Sequence, residues 1–171
     1  MKIKRFRYVF ITLITLGANF SLDRITKLLA QKYLEGEKPV SLLGNSIVFV
    51  FVENSGAFLG LGAVWPDIVK YLVLLIIPIG VCAYGIYHSA FKETNIRRLV
   101  LMTCIIGGGL SNLIDRVFND FKVVDFMNFG IGALRTGVLN VADLSVTFGA
   151  LILLATEFLS GKAEHSQGWK S

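Results

Sequence analysis

The chain has 171 residues, of which 54% are hydrophobic and only 17% are charged, and its mean hydropathy is +0.64. This composition excludes an ordinary soluble domain and is typical of a small membrane protein with several spans. The net charge of +5 would suit a nucleic-acid partner, but the cations lie at the ends of apolar segments, so we expect no nucleic acid.

Four apolar stretches are each long enough to cross a bilayer as a helix, since about 20 apolar residues span a hydrocarbon core of roughly 30 Å. We expect spans at Tyr8–Leu29, Pro66–His88, Arg98–Val117 and Val138–Leu159. No linker, repeat or low-complexity stretch divides the sequence. Residues 1–171 are therefore expected to form one integral membrane domain.

Basic residues are concentrated before the first span, in residues 2–7, and between the second and third spans, in residues 92–98. Basic loops stay in the cytoplasm, so both termini are predicted to be cytoplasmic. Residues 31–65 and 118–137 then face outward. The basic start also fits a cleaved signal peptide, but the apolar run is followed by three more spans, so we expect a retained span.

The two outward segments carry the signals of extended chain. SIVFVFVEN, residues 46–54, is β-branched and aromatic and is bounded by Gly44-Asn45 and Ser55-Gly56, which predicts a strand between turns. Residues 39–43 precede it and favour a small sheet on the outer membrane surface. GAFLGLGAVWP indicates a turn or a short interfacial helix, and VVDFMNFGIG a second extended stretch.

Polar side chains recur at the outward ends of the spans, where a bilayer should reject them. A mid-membrane Asp costs about 2.5–3.5 kcal/mol on insertion scales, and less near the interface. Several such costs at one depth indicate a shared polar site that faces the interior of the bundle. Its candidate members are Asp23, Lys27, Asn112, Asp115, Arg116, Asn140 and Asp143, with Asp125 in the loop that joins two of these ends.

Several of these residues, and two residues of the first outward segment, also have a structural interpretation. Asp23 and Lys27 are four apart on one helical face, so they are expected to form an ion pair that orients the first helix. Asn54 and Gly56 are typical turn residues. In GGGLSNLIDRV the small residues allow close helix packing, and Asn112, Asp115 and Arg116 suit an interhelical clamp in which the arginine neutralises an acid.

The chemistry that this layer offers is carboxylate chemistry. His88 is predicted at the cytoplasmic end and His165 in the tail, so neither a Ser-His or Cys-His pair nor a metal site is expected, and no cofactor is implied. Two close carboxylates cannot both ionise easily, so one keeps its proton while the other acts as a base. Such a dyad activates water for attack on an amide. Spacing alone leaves open which two acids pair.

The blocks DRITK, ENSGAFLG, GGLSNLIDRV, VVDFMNF and NVAD, in this order, resemble lipoprotein signal peptidase (signal peptidase II), a bacterial membrane aspartic peptidase family. The resemblance covers nearly the whole chain. It implies an all-α membrane protein with four transmembrane helices, both ends cytoplasmic, and a small extracytoplasmic β-sheet cradle. It also implies removal of signal peptides from lipid-modified prolipoproteins, by a cut just before the diacylglyceryl-cysteine.

The resemblance further implies roles for particular residues. Asp125 of VVDF and Asp143 of NVAD would be the catalytic dyad at the outer membrane-surface level. Asp115 would join Arg116 and Asn112 in a supporting network, and Asn140 would orient Asp143 or contact substrate. Asn54 and Gly56 would shape the substrate groove, and Asp23 with Lys27 would stabilise the site from the first helix. The protein is expected in the bacterial cell (inner) membrane, among membrane lipids, as a monomer.

Some positions depart from the family pattern. Leu139 replaces a common aromatic, Leu144 separates Asp143 from Ser145, and GIGALRTG replaces a usual proline-containing approach. These departures leave both aspartates in place, and the sequence leaves open the shape of the groove and the substrate preference.

Two other classes of protein remain open on the residues alone. A proton-coupled carrier would use intramembrane acids as a relay, so it predicts acids spread through the thickness of the membrane. Here the acids of the spans cluster at the outward end, and Glu157, near the predicted cytoplasmic end, is the exception. A scaffold protein predicts that replacing the two aspartates by asparagine has no effect once folding is preserved.

Overall fold

The computed structural model describes residues 2–57 and 60–167. Helices dominate it: α1 (Lys2–Leu34), α2 (Asp67–Tyr71), α3 (Ile77–Phe91), α4 (Ile96–Phe118) and α5 (Val141–Gln167). A π-helical turn, Leu72–Ile76, joins α2 and α3 into one continuous helix. Four strands complete the fold: β1 (Val40–Leu42), β2 (Ile47–Asn54), β3 (Val123–Ile131) and β4 (Leu134–Leu139).

Four helical segments are long and apolar enough to cross a membrane: Arg5–Leu34, Asp67–Phe91, Ile96–Phe118 and Val141–Leu159. Their outer surfaces expose large apolar side chains, such as Phe10 and Leu154, which are 56% and 67% exposed. Apolar surface of this kind is stable against lipid and not against water. The predicted multi-pass membrane fold with four spans is confirmed.

Small residues let α4 occupy the centre of the bundle. A Cβ at Gly107 would lie 3.0 Å from Cβ of Asn19 in α1, and one at Gly108 only 2.5 Å from the carbonyl oxygen of Ala142 in α5. At Gly109 a Cβ would lie 3.3 Å from Sγ of Cys82 in α3. Three consecutive glycines therefore face three different helices, as the small-residue patch predicts.

The strands form one antiparallel sheet in the order β1-β2-β3-β4, at the end of the bundle where α1 finishes and α5 begins. Val52 pairs with Asp125 across β2 and β3, so β2 is the direct neighbour of the site strand. The predicted turn before β2 is present, with positive φ at Gly44 (61°) and Asn45 (73°). The small sheet and its two predicted extended stretches are confirmed.

The boundaries of the helices differ from the sequence prediction at several points. The helix of the fourth span, α5, begins at Val141 and not at Val138, because Val138 and Leu139 end strand β4, which was not predicted. Both residues are as apolar as the helix that follows, so hydropathy could not separate them. Helix α1 also extends beyond the expected limits, from Lys2 to Leu34.

The connection after β2 was expected to be a turn or a short interfacial helix. Residues 61–64 of this connection form turns, with Ala63 N donating to Gly60 O (3.1 Å) and Trp65 N to Gly62 O (3.0 Å). The turn alternative is therefore the correct one there. Phe58 and Leu59 of the same stretch lie outside the described residues.

Candidate active site

Asp125 lies in the buried part of β3 and accepts hydrogen bonds from two asparagine side chains. Asn140 Nδ2 donates to Asp125 Oδ1 at 2.6 Å, and Asn54 Nδ2 donates to Oδ2 at 2.9 Å. Burial, together with the negative charge of Asp143, raises the pKa of Asp125 to about 7, against the lowering effect of both amides. At neutral pH this carboxyl is therefore poised between its two protonation states.

Asp143 lies in the first turn of α5, and Asn140 caps that helix. Asn140 Oδ1 accepts from the Asp143 backbone N–H at 2.9 Å, while Asp143 Oδ2 accepts from the Asn140 backbone N–H at 3.2 Å. This is a reciprocal capping arrangement, which stabilises a helix start. Asn140 therefore precedes the helix, although it falls inside the span that hydropathy predicts at Val138–Leu159.

Asn112 of α4 joins the two aspartates through Asn140. Its Nδ2 donates to Asp143 Oδ1 at 2.9 Å, and its Oδ1 accepts from Asn140 Nδ2 at 3.2 Å. A continuous chain of hydrogen bonds thus runs from Asp125 through Asn140 and Asn112 to Asp143. Each amide is held at both ends, so the positions of the two carboxyls are fixed relative to each other.

Both carboxyls line a cavity of about 300 Å³ between the sheet and the helices. Its polar lining includes Asn54, Asn112 and Arg116, and its apolar lining comes from the spans, including Leu74, Pro78, Leu113 and Val146. We call it the inner cavity. It combines a polar centre with apolar walls at the level where the spans begin.

A second group of charges lies behind Asn112, on the side of α1. Lys27 Nζ is 2.6 Å from Asp23 Oδ2, 2.8 Å from Asp115 Oδ2 and 2.9 Å from Asn112 Oδ1, and it is 1% exposed. The predicted pair of Asp23 and Lys27 is present. Buried charges are stable only when they are paired and hydrogen-bonded, and here two acids share one lysine.

Asp23 also ties two other helices to α1. Its Oδ2 accepts from Ser111 Oγ of α4 at 2.5 Å, and its Oδ1 accepts from the backbone N–H of Ala142 at 2.8 Å. Ala142 is in the first turn of α5, whose backbone N–H groups lack partners within the helix. This carboxylate thereby fixes the position of the helix that carries Asp143.

Arg116 differs from the expected clamp. It donates to the carbonyl oxygens of Gly56 (2.7 Å) and Asn112 (3.1 Å), while the cations beside Asp115 are Lys27 and Arg24. Neighbouring residues on a helix point about 100° apart, so Asp115 and Arg116 face different partners. Arg116 supports the loop after β2, and Asp115 belongs with α1.

The loop after β2 is shaped by Asn54 and Gly56, as the turn interpretation predicts. Asn54 Oδ1 accepts from Gly56 N at 2.9 Å, and its Nδ2 donates to Ala57 O at 3.1 Å as well as to Asp125. A Cβ at Gly56 would lie 2.6 Å from the carbonyl oxygen of Leu61, so only glycine fits there. The same asparagine therefore builds the turn and contacts the site.

Sequence reasoning missed Arg24 and the hydrogen-bonding role of Ser111. Arg24 stands next to Asp23 in DRITK, but its neighbour in space, Asp115, is 91 positions away in the chain. Ser111 was counted only as a small packing residue. The sequence did carry a signal for both residues. The outward layer holds more acids than Lys27 alone can neutralise, and each buried acid needs donors of its own.

Within residues 2–57 and 60–167, the structure contains no cluster of three or more His, Cys, Asp and Glu that suits a metal ion. Asp23 and Asp115 both form ion pairs with Lys27, and Asp115 also pairs with Arg24. What the arrangement offers is two linked carboxyls beside a cavity.

Comparison with known proteins supports the resemblance that the motifs suggest. The model of the family described as signal peptidase (SPase) II matches residues 15–159. The chain is 34% identical over 137 residues to the lipoprotein signal peptidase of Borrelia turicatae (strain 91E135), and the aligned region covers 77% of this chain and 80% of that one. It is 35% identical over 139 residues to that of Sulfurihydrogenibium sp. (strain YO3AOP1), covering 80% and 83%.

A solved structure is also similar in fold. It is described as a bacterial membrane enzyme determined by the in meso method at 2.3 Å resolution, and it aligns with a TM-score of 0.73 over 90% of each chain. The sequence identity in this alignment is 23%. This likeness concerns the fold alone.

Proposed function

The chain belongs to the signal peptidase II family, and on this premise we propose that it is an aspartic endopeptidase for diacylglyceryl-modified prolipoproteins. As a member of the family it is a peptidase that removes signal peptides from prolipoproteins. In our proposal the cut lies on the N-terminal side of the lipidated cysteine, and Asp125 and Asp143 form the catalytic dyad.

The observation that carries the proposal is the linked pair of carboxyls beside the inner cavity. Asp125 and Asp143 are connected through the amides of Asn140 and Asn112, and both line the inner cavity. Mutual repulsion in a buried site disfavours double ionisation, and the pKa of Asp125 is raised to about 7. The pair is therefore suited to share a single proton near neutral pH.

In the proposed mechanism a water molecule is bound between the two carboxyls. The ionised carboxyl takes a proton from this water as its oxygen attacks the scissile carbonyl carbon, which gives a tetrahedral intermediate. The protonated carboxyl donates its proton to the leaving nitrogen as the C–N bond breaks. The pair titrates as a unit, so the two roles belong to the dyad rather than to either residue alone.

The surrounding residues are proposed to support this chemistry. Asn112 and Asn140 orient the carboxyls, and Asn54 stabilises Asp125 while it shapes the loop with Gly56. Arg116 holds that loop through the Gly56 carbonyl. The cluster of Asp23, Lys27 and Asp115 fixes the helices on which the other residues stand.

We also propose a location and an orientation. Basic residues lie at the end of the bundle opposite the sheet, including Arg5, Lys92, Arg97 and Arg98. By the positive-inside rule this end and both termini are cytoplasmic, and the dyad lies on the extracytoplasmic side of the bacterial cell (inner) membrane. The protein acts there as a monomer surrounded by membrane lipids, and nucleic acid has no part in its function.

The test is a cleavage assay with purified protein in detergent or lipid. Its substrates are a diacylglyceryl-modified prolipoprotein and the same precursor without the lipid, and mass spectrometry identifies the new N-terminus. We expect cleavage of the lipidated precursor directly before the modified cysteine. Absence of cleavage, or a cut elsewhere in the precursor, would contradict the proposal.

A further inference from the structure

Thr147 is a polar residue of the inner cavity that the mechanism above does not use. It follows Asp143 by four positions on α5, and both residues line the inner cavity. Residues four apart lie on one face of a helix, and a rise of about 1.5 Å per residue places Thr147 roughly 6 Å further along α5. Because α5 forms the fourth span from Val141 onward, Thr147 lies deeper in the membrane than the dyad.

The part of the cavity wall that lies within the spans is mainly apolar. Leu74 and Pro78 come from the second span, Gly109 from the third and Val146 from the fourth. Hydrocarbon offers no hydrogen-bond partner, so a polar group at this depth needs one from the protein, from enclosed water or from a bound ligand. The hydroxyl of Thr147 therefore needs a partner that these side chains do not supply.

The hydroxyl of Thr147 makes no hydrogen bond within the described part of the chain. Hydroxyls on helices commonly bond back to the carbonyl one turn earlier, as Ser145 does to Val141 O (3.0 Å) and Thr103 does to Leu99 O (2.9 Å). Every other polar side chain in the described lining of the inner cavity is hydrogen-bonded to the protein. Thr147 is therefore the lining side chain whose hydrogen-bonding capacity is free for a ligand.

An uncut substrate has backbone carbonyls at the depth of Thr147. In the proposed function, the segment before the cut is apolar and runs from the dyad into the bilayer. The dyad can reach a peptide bond only where the chain is not coiled into a helix, so the carbonyls near the cut lack their helical donors. An extended chain advances about 3.3 Å per residue, so the depth of Thr147 corresponds to about two residues before the scissile bond.

We propose that Thr147 binds the substrate by donating its O–H to a backbone carbonyl about two residues before the scissile bond. This inference rests on the proposed function and adds a substrate contact to the same site. The hydroxyl supplies the hydrogen bond that this carbonyl loses when the chain leaves its helical conformation in the membrane. The ester carbonyls of the diacylglyceryl group are acceptors of the same kind, but they are attached to the cysteine, on the opposite side of the scissile bond.

The first test separates the hydroxyl from the shape of the side chain. Thr147→Val removes the O–H donor at nearly constant volume, and Thr147→Ser keeps it. Thr156→Val makes the same change at an exposed position of α5 outside the lining of the inner cavity. We expect Thr147→Val to raise KM for the lipidated precursor at least about 5-fold with kcat unchanged, because the bond is made equally before and during the reaction. Thr147→Ser and Thr156→Val should keep the wild-type KM.

Three outcomes would overturn the inference while the proposed function stands. The first is an unchanged KM in Thr147→Val. The second is a fall in kcat alone, which would mean that Thr147 acts by holding the helix that carries Asp143. The third is an equal rise of KM in Thr147→Ser, which retains the hydroxyl. Absence of cleavage by the wild type would overturn the proposed function and this inference with it.

A second comparison identifies the carbonyl that Thr147 binds. One precursor carries the diacylglyceryl group, and another carries a dialkylglyceryl group, whose ether links keep the two chains but lack ester carbonyls. If the acceptor is a backbone carbonyl, Thr147→Val raises KM by the same factor for both precursors. If the substitution leaves KM unaffected for the ether precursor alone, the acceptor is a lipid ester, and the assignment to the peptide backbone is wrong.

Discussion

At the scale of single residues, the balance of forces on Asp125 determines how the site responds to pH. Burial and Asp143 favour its protonated form, while the amides of Asn54 and Asn140 favour the carboxylate, and the pKa settles at about 7 instead of the usual 3.8. Between these values the folded protein holds a proton that the unfolded chain releases. The contribution of Asp125 to the free energy of unfolding therefore falls as pH rises from about 4 to about 7.

The same balance predicts the pH dependence of cleavage. We expect kcat/KM to decline as pH rises above about 7, because the dyad loses its last proton. In Asn54→Ala the carboxylate loses a donor, so the pKa of Asp125 should rise and the alkaline decline should move to higher pH, together with a lower maximum rate. A profile whose alkaline limb stays in place or moves to lower pH in this variant would refute the role given to Asn54.

Much of the residue-level site could be anticipated, but not its pairing. The outward layer of polar residues follows from hydropathy, and the structure brings its members together. The choice of Asp125 and Asp143 depended on the family resemblance, because spacing cannot show contacts between residues far apart in the chain. For the same reason the sequence could not show that Asp115 pairs with Arg24, which is distant in the chain, and not with the adjacent Arg116.

At the scale of elements, the three glycines of α4 set the distance between helices. Gly108 matters most for the site, since it faces Ala142, one residue before Asp143. A Cβ added at Gly108 would lie only 2.5 Å from the backbone carbonyl oxygen of Ala142. Backbone cannot rotate away as a side chain can. Any side chain at this position must move the start of α5.

This predicts a stability difference between two equivalent substitutions. Gly108→Ala should destabilise the protein by roughly 1–3 kcal/mol through overpacking. Gly80→Ala is the matched control, because a Cβ at Gly80 of α3 meets nothing within 4 Å and alanine is the better helix former. Thermal unfolding in detergent checks both, and equal melting temperatures for the two variants would be incompatible with the packing described here.

The start of α5 shows why element boundaries escaped prediction. Residues 138–159 read as one apolar run, yet the first two belong to β4, where Leu139 pairs with Met127. The change of structure is set by pairing across the sheet and by the cap that Asn140 provides, and neither is visible in hydropathy. Strands β2 and β3, which are bounded by recognisable turn residues, were located correctly.

At the scale of the whole molecule, the acids of the spans are grouped at the end that carries the sheet. The exception, Glu157, forms a paired contact with Arg98 at the opposite end, with distances of 2.7–2.8 Å. Both partners are about half exposed, so this is a surface pair and not a step in a proton path. A proton-coupled carrier lacks support from this arrangement.

The proposed orientation gives a labelling prediction. In a background with Cys82→Ala and Cys104→Ala, a thiol introduced as Ser41→Cys in β1 should react with a membrane-impermeant maleimide in intact cells. Thr94→Cys, between α3 and α4, should react only after the inner membrane is permeabilised, because the basic loop stays inside. Both positions are exposed, so access alone decides the result. The reverse pattern would invert the topology.

The most direct test of the account is the cleavage rate of Asp-to-Asn variants on the lipidated precursor. Asp125→Asn and Asp143→Asn are each expected to lower the rate at least about 100-fold, as general acid–base groups do, with melting temperatures close to the wild type. Asp115→Asn should cause a milder loss, and the exposed Asp120→Asn should have the wild-type rate. Full activity in folded Asp125→Asn or Asp143→Asn would contradict the central claim that these two residues form the catalytic dyad.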